Sequence, residues 1–407
     1  MVLVSTLTGS REIKARKEWG LFAALVLTLR TIYATFGALI LRNGGPVPLG
    51  ETTYALISPY LHSDWFSRWL INPWFQWDTL SYMEISILGY NDHSSSIAYM
   101  PLYPMLMRLT APLVGHNHLT AALLISTLCT ISALILLYEL LVDIYDPKLA
   151  LRAVLAFLVF PTTFFMLAGY TEALFLTLVL GCWLAAHRKR WVWAAVLASL
   201  ATLTRLQGVV LAPVILWLML TSTVPNLSQK PFEQIKQVFG NLKSLRLWWV
   251  LLAASPILTM LGYQVWLKFS GLGNIPAALG QYWRIETVAP WTGFYLFVQR
   301  LFTLEFIYMD WIDLLLLILV LLISIASLRS LPVDFSIYLW LTLAILFMRG
   351  TPPHLMASAS RYFLALFPVF ILPANMELKS LRFFAAAVSL SLQMLLAWVF
   401  LLGSWVA

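Results

Sequence analysis

Apolar runs, many near twenty residues, recur along this chain from residue 19 to residue 404, divided by short turns, several of them basic, and by two long polar loops. A run of that length spans the hydrocarbon of a bilayer as a helix, and in lipid only helices or closed barrels satisfy every backbone polar group. Charged residues make up only 11% of the sequence, against roughly a quarter in soluble domains. The chain therefore reads as an all-α polytopic membrane protein, one integral domain over residues 1–407. Eleven spans are expected: 19–41, 118–142, 149–167, 172–187, 191–204, 206–222, 247–268, 311–328, 334–348, 361–376 and 382–404. The 19–41 run is longer than a signal-peptide core and lacks a clear cleavage site, so it counts as the first span. Cys129 and Cys182 both lie in apolar runs and read as small hydrophobes.

Lysine and arginine set the orientation. With the N-terminus cytoplasmic, the cytoplasmic loops collect Lys148, His187 to Arg190, the basic 223–247 segment, Arg329, Lys379 and Arg382. The net charge of +8 then reflects loops facing anionic lipid rather than a nucleic-acid partner. Two large loops, 42–117 and 269–310, fall on the extracytoplasmic side. Residues 100–114 are apolar but about 15 residues long, with three prolines and Arg108. They read as an interfacial helix on the outer leaflet, as does 294–310. The outer basic residues are almost all arginine: Arg42, Arg68, Arg108, Arg205, Arg284, Arg300, Arg349 and Arg361 beside Lys268. A planar guanidinium matches phosphate, although arginine also snorkels at interfaces without any ligand.

The first loop holds the acids Asp78, Glu84 and Asp92 among aromatics. In a helix over 76–88, Asp78 and Tyr82 share a face. An ionised carboxylate there suits removal of a proton from a hydroxyl nucleophile, oriented by Thr79 or Gln76; aspartate is also a favoured helix starter. Glu172 sits at an outer turn between two spans, where an acid needs a partner, and Arg205 at another outer turn is a plausible one. Arg284 and Arg361 each stand at the outer side of a span beside aromatics, placed to grip a phosphate leaving group or to anchor at the interface. Arg30, mid-span, should face the protein interior and a partner. His116-Asn117-His118 with Asp92 fits no strong metal signature. No phosphate-binding glycine loop, dinucleotide fingerprint or nucleophile elbow occurs.

Trp77-Asp78-Thr79, Tyr82, Gly89-Tyr90 and Ile97 to Pro104 (IAYMPLYP) resemble the first-loop signature of the PIG-V-type mannosyltransferases, members of the GT-C superfamily of polytopic glycosyltransferases. The resemblance continues through Phe160-Pro161, Tyr170-Thr171-Glu172, Thr202 to Arg205, Gln281-Tyr282-Trp283, and Arg361-Tyr362 with Phe367-Pro368. It implies a GT-C-like fold and transfer of a sugar, mannose in that family, from a polyprenyl-phosphate-linked donor to a lipid or glycan acceptor. The reaction is expected on the extracytoplasmic face, with inversion. Eukaryotic relatives of the family work on glycosylphosphatidylinositol in the endoplasmic reticulum; a prokaryotic member would sit in the cell membrane. The first-loop Asp of the family matches Asp78 and implies its role as base. Trp77, Tyr82, Glu172, Arg205, Arg284, Arg361 and Tyr362 are the expected substrate-binding residues. No metal ligands are assigned and no cofactor is required, although a divalent cation sharing the phosphate charge is compatible with the chemistry. Two departures stand out: Gln76 replaces an arginine often preceding the Trp-Asp pair, and Met100 replaces an aromatic before Pro101. They bear on the acceptor more than on the reaction. The alternatives are a transporter or flippase of a lipid-linked glycan, with polar residues through both leaflets, and a noncatalytic subunit that keeps the fold.

Overall fold

A computed structural model describes residues 2–43, 60–91, 95–228, 230–241, 243, 246–283, 285–302, 308–350 and 358–406. The helices in chain order are α1 (Val2–Arg42), α2 (Asp78–Leu88), α3 (Leu102–Thr110), α4 (His118–Ile144), α5 (Pro147–Leu158), α6 (Glu172–His187) and α7 (Trp191–Thr204). They continue as α8 (Leu211–Thr221), α9 (Pro231–Gly240), α10 (Leu247–Phe269), α11 (Ile275–Trp283), α12 (Pro290–Leu301) and α13 (Tyr308–Ser327). The last four are α14 (Val333–Phe347), α15 (Ala359–Tyr362), α16 (Ile371–Ala374) and α17 (Lys379–Leu401). A single strand pair among the described residues joins Glu286–Thr287 (β1) to Arg349–Gly350 (β2), antiparallel, with Glu286 opposite Gly350.

Among the described residues five stretches are long and apolar enough to cross a membrane: Lys17–Arg42, His118–Ile144, Leu247–Phe269, Met309–Ser327 and Lys379–Leu401. Shorter apolar helices, among them α6, α7 and α14, pack between them. Exposed leucine, valine and tryptophan on the outer helices, such as Leu27, Leu128, Leu258 and Leu322, are what a lipid-facing surface requires. The interior is aromatic. Trp183 packs edge-on against Phe335, Tyr338 and Phe367, which gives Phe367 a core role.

Two expected spans, 149–167 and 361–376, are not continuous helices. α5 stops at Leu158, and Pro161, which has no N–H and crowds the residue before it, turns the chain into a short 3-10 segment, Thr163–Leu167. The freed carbonyls are satisfied by α17: Gln393 Nε2 donates to Leu158 O (3.0 Å) and Phe160 O (2.9 Å), and Ser389 Oγ to Val159 O (2.8 Å). Residues 359–374 likewise form short helical pieces around Pro368 and Pro373. There Tyr338 donates its hydroxyl to Ala365 O at 2.9 Å. Broken backbone at membrane depth survives only when buried in protein with such partners.

Within 100–114, α3 and the 3-10 turn that follows it, Ala111–Val114, are amphipathic. Tyr103 and Met107 are buried, whereas Met105, Leu109 and Leu113 are exposed along one stripe. Arg108 reaches back to cap α2, donating to Ser86 O (2.7 Å) and Ile87 O (2.8 Å). In the basic 223–247 segment, α9 tucks Val238 against Trp217, Leu220 and Val333 and leaves Phe232, Ile235 and Phe239 exposed. Arg30 meets neutral partners rather than an acid: it donates to Leu123 O (3.0 Å) and Thr127 Oγ1 (2.6 Å), with its guanidinium 5.1 Å from the Trp74 ring.

Candidate active site

Four helix ends and breaks converge on one end of the bundle. Asp78 is the first residue of α2, Glu172 the first of α6, Arg205 the extended residue between α7 and its following 3-10 turn, and Arg361 lies in the short α15. Their side chains form a continuous ion-pair chain. Arg361 Nη1 meets Asp78 Oδ2 at 2.6 Å, and Arg361 Nε meets Glu172 Oε1 at 3.0 Å. Arg205 Nη1 closes on the same Glu172 oxygen at 2.5 Å and on Thr171 Oγ1 at 3.2 Å. Two acids and two guanidiniums leave the cluster neutral. Charges so deeply set persist only when paired and hydrogen-bonded, because desolvation alone costs several kcal/mol per ion.

Exposure grades along this chain. The side chains of Glu172, Arg205 and Arg361 are 4%, 9% and 10% exposed, whereas that of Asp78 is 24% exposed. Asp78 is thus the acid within reach of an incoming group. Its other oxygen, Oδ1, accepts the Tyr99 hydroxyl at 3.0 Å, and its backbone N–H donates to the Tyr170 hydroxyl at 3.3 Å. Burial first, and then the charge of Asp78, push the Tyr99 phenol well above its ordinary range, so it stays a donor. Tyr99, rather than Thr79 or Gln76, is the side chain that orients the carboxylate; Gln76 and Thr79 are buried. Thr79 packs at Gly169, where an added Cβ would lie 2.8 Å from its methyl group.

Backbone strain flanks both members of the Asp78–Arg361 pair. Trp77 has φ 49°, ψ −122°, and Ser358, at the start of α15, has φ 65°. Such conformations cost about 1–3 kcal/mol and persist where the surroundings over-determine them. Trp77 is held by its indole, which donates to Ser404 O at 3.2 Å beyond the end of α17.

Around the ion pairs lies an aromatic wall. The Tyr362 ring lies 4.6 Å from the Arg205 guanidinium, and Tyr170 lies 5.1 Å from that of Arg361. Tyr82, one turn after Asp78 on α2, has its hydroxyl 3.4 Å from Thr171 Oγ1 and its ring edge-on against Tyr99 and Tyr103. Glu172 Oε2 is buried without a hydrogen-bond partner.

The structure therefore brings together Asp78, Glu172, Arg205 and Arg361, with Tyr82 and Tyr362 beside them and Trp77 anchoring the turn. Arg284, Asp92, His93 and His354 lie outside the described residues. Glu84 is buried on α2, accepting from Asn91 Nδ2 at 3.3 Å. His118 Nδ1 pairs with Ser86 Oγ at 2.6 Å, and Asn117 caps α4 by accepting from the Thr120 N–H at 2.9 Å. Among the described residues no three His, Cys, Asp or Glu side chains group as a metal site.

Tyr99 and Tyr170 lie within the sequence motifs but carried no assigned role there, and Asp313 was not singled out. Asp313 Oδ1, 2% exposed inside α13, accepts the backbone N–H of Ser360 at 3.1 Å, and Thr162 Oγ1 donates to Ser360 O at 2.8 Å. Both backbone groups next to Arg361 are thereby tied. An acid inside the apolar run of α13 was the available signal for Asp313.

Two solved structures share a loose likeness. One is the Archaeoglobus fulgidus oligosaccharyltransferase tethered with an acceptor peptide: 12% identity, TM-score 0.46, over 94% of this chain and 55% of that one. The other is the oligosaccharyltransferase AglB from the same organism with an inhibitory peptide and a dolichol-phosphate: 12% identity, TM-score 0.43, over 95% and 56%. The chain spans about half the length of these structures. A search of curated proteins gives no match. The profile of the mannosyltransferase (PIG-V) family matches residues 49–270, more than half of the chain, and takes in Asp78, Glu172 and Arg205. By that match the protein belongs to the mannosyltransferase (PIG-V) family of membrane glycosyltransferases.

Proposed function

We propose that this protein transfers mannose from a polyprenyl-phosphate-linked donor to a hydroxyl of a lipid or glycan acceptor, with inversion and with Asp78 as the base. The observation that carries the reading is the pairing of Asp78 with Arg361: one carboxylate and one guanidinium, side by side at the exposed end of a buried charge network. A phosphate is already a competent leaving group, so the reaction needs chiefly a base on the acceptor and positive charge on the departing phosphate.

In this reading an arriving donor phosphate draws Arg361 off Asp78. The freed carboxylate takes the proton of the acceptor hydroxyl as its oxygen bonds to the anomeric carbon. The bond from that carbon to the phosphate oxygen breaks on the opposite face, and the polyprenyl phosphate leaves with the electron pair beside Arg361. Tyr99 holds Asp78 in place meanwhile. Arg205 anchors Glu172, whose unpartnered Oε2 accepts a sugar hydroxyl. Trp77, Tyr82 and Tyr362 shape the sugar pocket, and Arg284 joins the phosphate side.

The proposed topology is GT-C-like, with eleven crossings, a cytoplasmic N-terminus, and loops 42–117 and 269–310 on the extracytoplasmic face. Its support is that α6 carries Glu172 at one end and the basic turn His187 to Arg190 just past the other. The test is transfer of labelled mannose from polyprenyl-phosphate-mannose in membranes. Asp78→Asn is expected to abolish transfer at normal expression; full activity in that variant rules Asp78 out as the base.

A further inference from the structure

A second site lies at the other end of α6. Glu172 to His187 spans roughly 22 Å of helix, so the turn after His187 stands far from the Asp78 cluster. This turn, His187 to Arg190, is exposed. Beside it α4, α6 and α7 enclose a groove of about 230 Å³ lined by Leu136, Gly181, Leu184, Trp193, Arg188 and Arg190.

Three features of the groove point to one ligand chemistry. Its walls are apolar and belong to helices whose neighbouring side chains face outward: Val192, Trp193 and Val196 on α7 and Leu128 on α4 are all exposed. In a membrane protein such surface lies against lipid chains. Its floor is Gly181, where a Cβ would meet Leu197 at 3.4 Å and Leu136 at 4.0 Å, so a methyl would just fit and a larger side chain would fill the groove. Its mouth carries two guanidiniums with little to neutralise them. Arg188 has Asp143 at 3.9 Å with both side chains about half exposed, and Arg190 has no acidic partner among the described residues. Exposed pairs of that kind are weak.

We propose that this groove binds an anionic phospholipid, with its phosphate between Arg188 and Arg190 and the start of one acyl chain over Gly181. The planar guanidinium fork matches phosphate oxygens, and Trp193 supplies the amphipathic ring that settles at headgroup depth. A soluble phosphate would leave the apolar floor wet, and a zwitterionic lipid would bring, with the same phosphate, a cation that the two guanidiniums repel. The site is independent of the mannosyl-transfer reading.

The experiment uses the full chain in detergent, titrated separately with phosphatidylglycerol and phosphatidylcholine, with bound lipid counted by native mass spectrometry. The wild-type protein is expected to prefer phosphatidylglycerol roughly thirtyfold, the effect of two basic side chains at an anionic headgroup. Arg188→Ala with Arg190→Ala should bring that ratio close to one. Gly181→Leu, which keeps the charges and fills the floor of the groove, should lower retention of both lipids. Equal retention of the two lipids by the wild type overturns the proposal, as does a preference that survives the double substitution. Displacement of phosphatidylglycerol by an equal amount of polyprenyl monophosphate reassigns the groove to an isoprenoid carrier and overturns it too. If the arginine variant does not fold, Gly181→Leu decides alone, and unchanged retention sinks the idea.

Discussion

The two ends of α6 use the same side chain in opposite ways. At the Glu172 end, Arg205 and Arg361 are buried, matched by two acids and walled by tyrosines. At the His187 end, Arg188 and Arg190 are exposed and in excess over nearby acid. Environment, rather than residue type, separates them. A buried guanidinium gives up its acid only at large cost unless another anion takes its place, which suits the proposed arrival of a phosphate. An exposed one is solvated, screened and free to meet whatever anion the membrane surface presents.

Substitutions that disturb each end should therefore differ sharply in size. The largest effect is expected for Asp78→Asn, which removes the proposed base while keeping its shape: transfer should fall by about 10²–10⁴, measured as initial rate at matched protein level. Next comes Glu172→Gln. It leaves Arg205 buried without an acid and Arg361 with Asp78 alone, so the protein should lose about 3–5 kcal/mol, read as a lowered thermal midpoint in detergent. Combining it with Arg205→Gln should cost less than the sum of the two single changes, since both belong to one network. Additive losses would show the ion-pair chain to be energetically idle.

Asp313→Asn should act more gently. It weakens the bond from the Ser360 N–H, worth about 0.5–1.5 kcal/mol, and loosens the segment that aims Arg361. Gly208→Ala should lose about 1–3 kcal/mol, because a Cβ at 208 falls on the Thr202 backbone and pushes the turn that carries Arg205. Thermal midpoints check both. At the other end, Arg188→Ala with Arg190→Ala should shift stability by less than about 0.5 kcal/mol in lipid-free detergent. A shift as large as that of Glu172→Gln would erase the distinction between the two ends.

A pH test separates them as well. Tyr99 has its pKa raised, by burial first and Asp78 second. Its neutral form is therefore favoured by folding, and that contribution is complete below the ordinary phenol value of about 10. It is lost progressively as pH rises from there to the higher folded value. A difference spectrum between the wild type and Tyr99→Phe should show no phenolate below about pH 10.

Much of this site was legible in the chain because charge is scarce in it. An acid or arginine at the edge of an apolar run stands out, and by that signal Asp78, Glu172, Arg205 and Arg361 were all identifiable, as was the pairing of Glu172 with Arg205. The link of Asp78 to Arg361 was not, since 283 residues separate them and no local pattern records which helix ends meet. Tyr99 and Tyr170 were hidden for a different reason: tyrosines are common here, and only burial beside a carboxylate makes one a functional donor. The broken helices at 149–167 and 361–376 had proline as a signal, but hydropathy alone smooths over such breaks.

Local composition determined that this chain lives in a bilayer as helices, since apolar length and backbone hydrogen bonding leave no other solution. It also determined where the rare charges fall along those helices, and therefore which residues had to find partners. Only the tertiary structure decided which partners those were, because four residues spread over nearly the whole sequence become neighbours through helix breaks whose freed carbonyls are satisfied from elsewhere in the chain. The free energy of that arrangement resides in contacts between distant segments, and a linear pattern does not carry it.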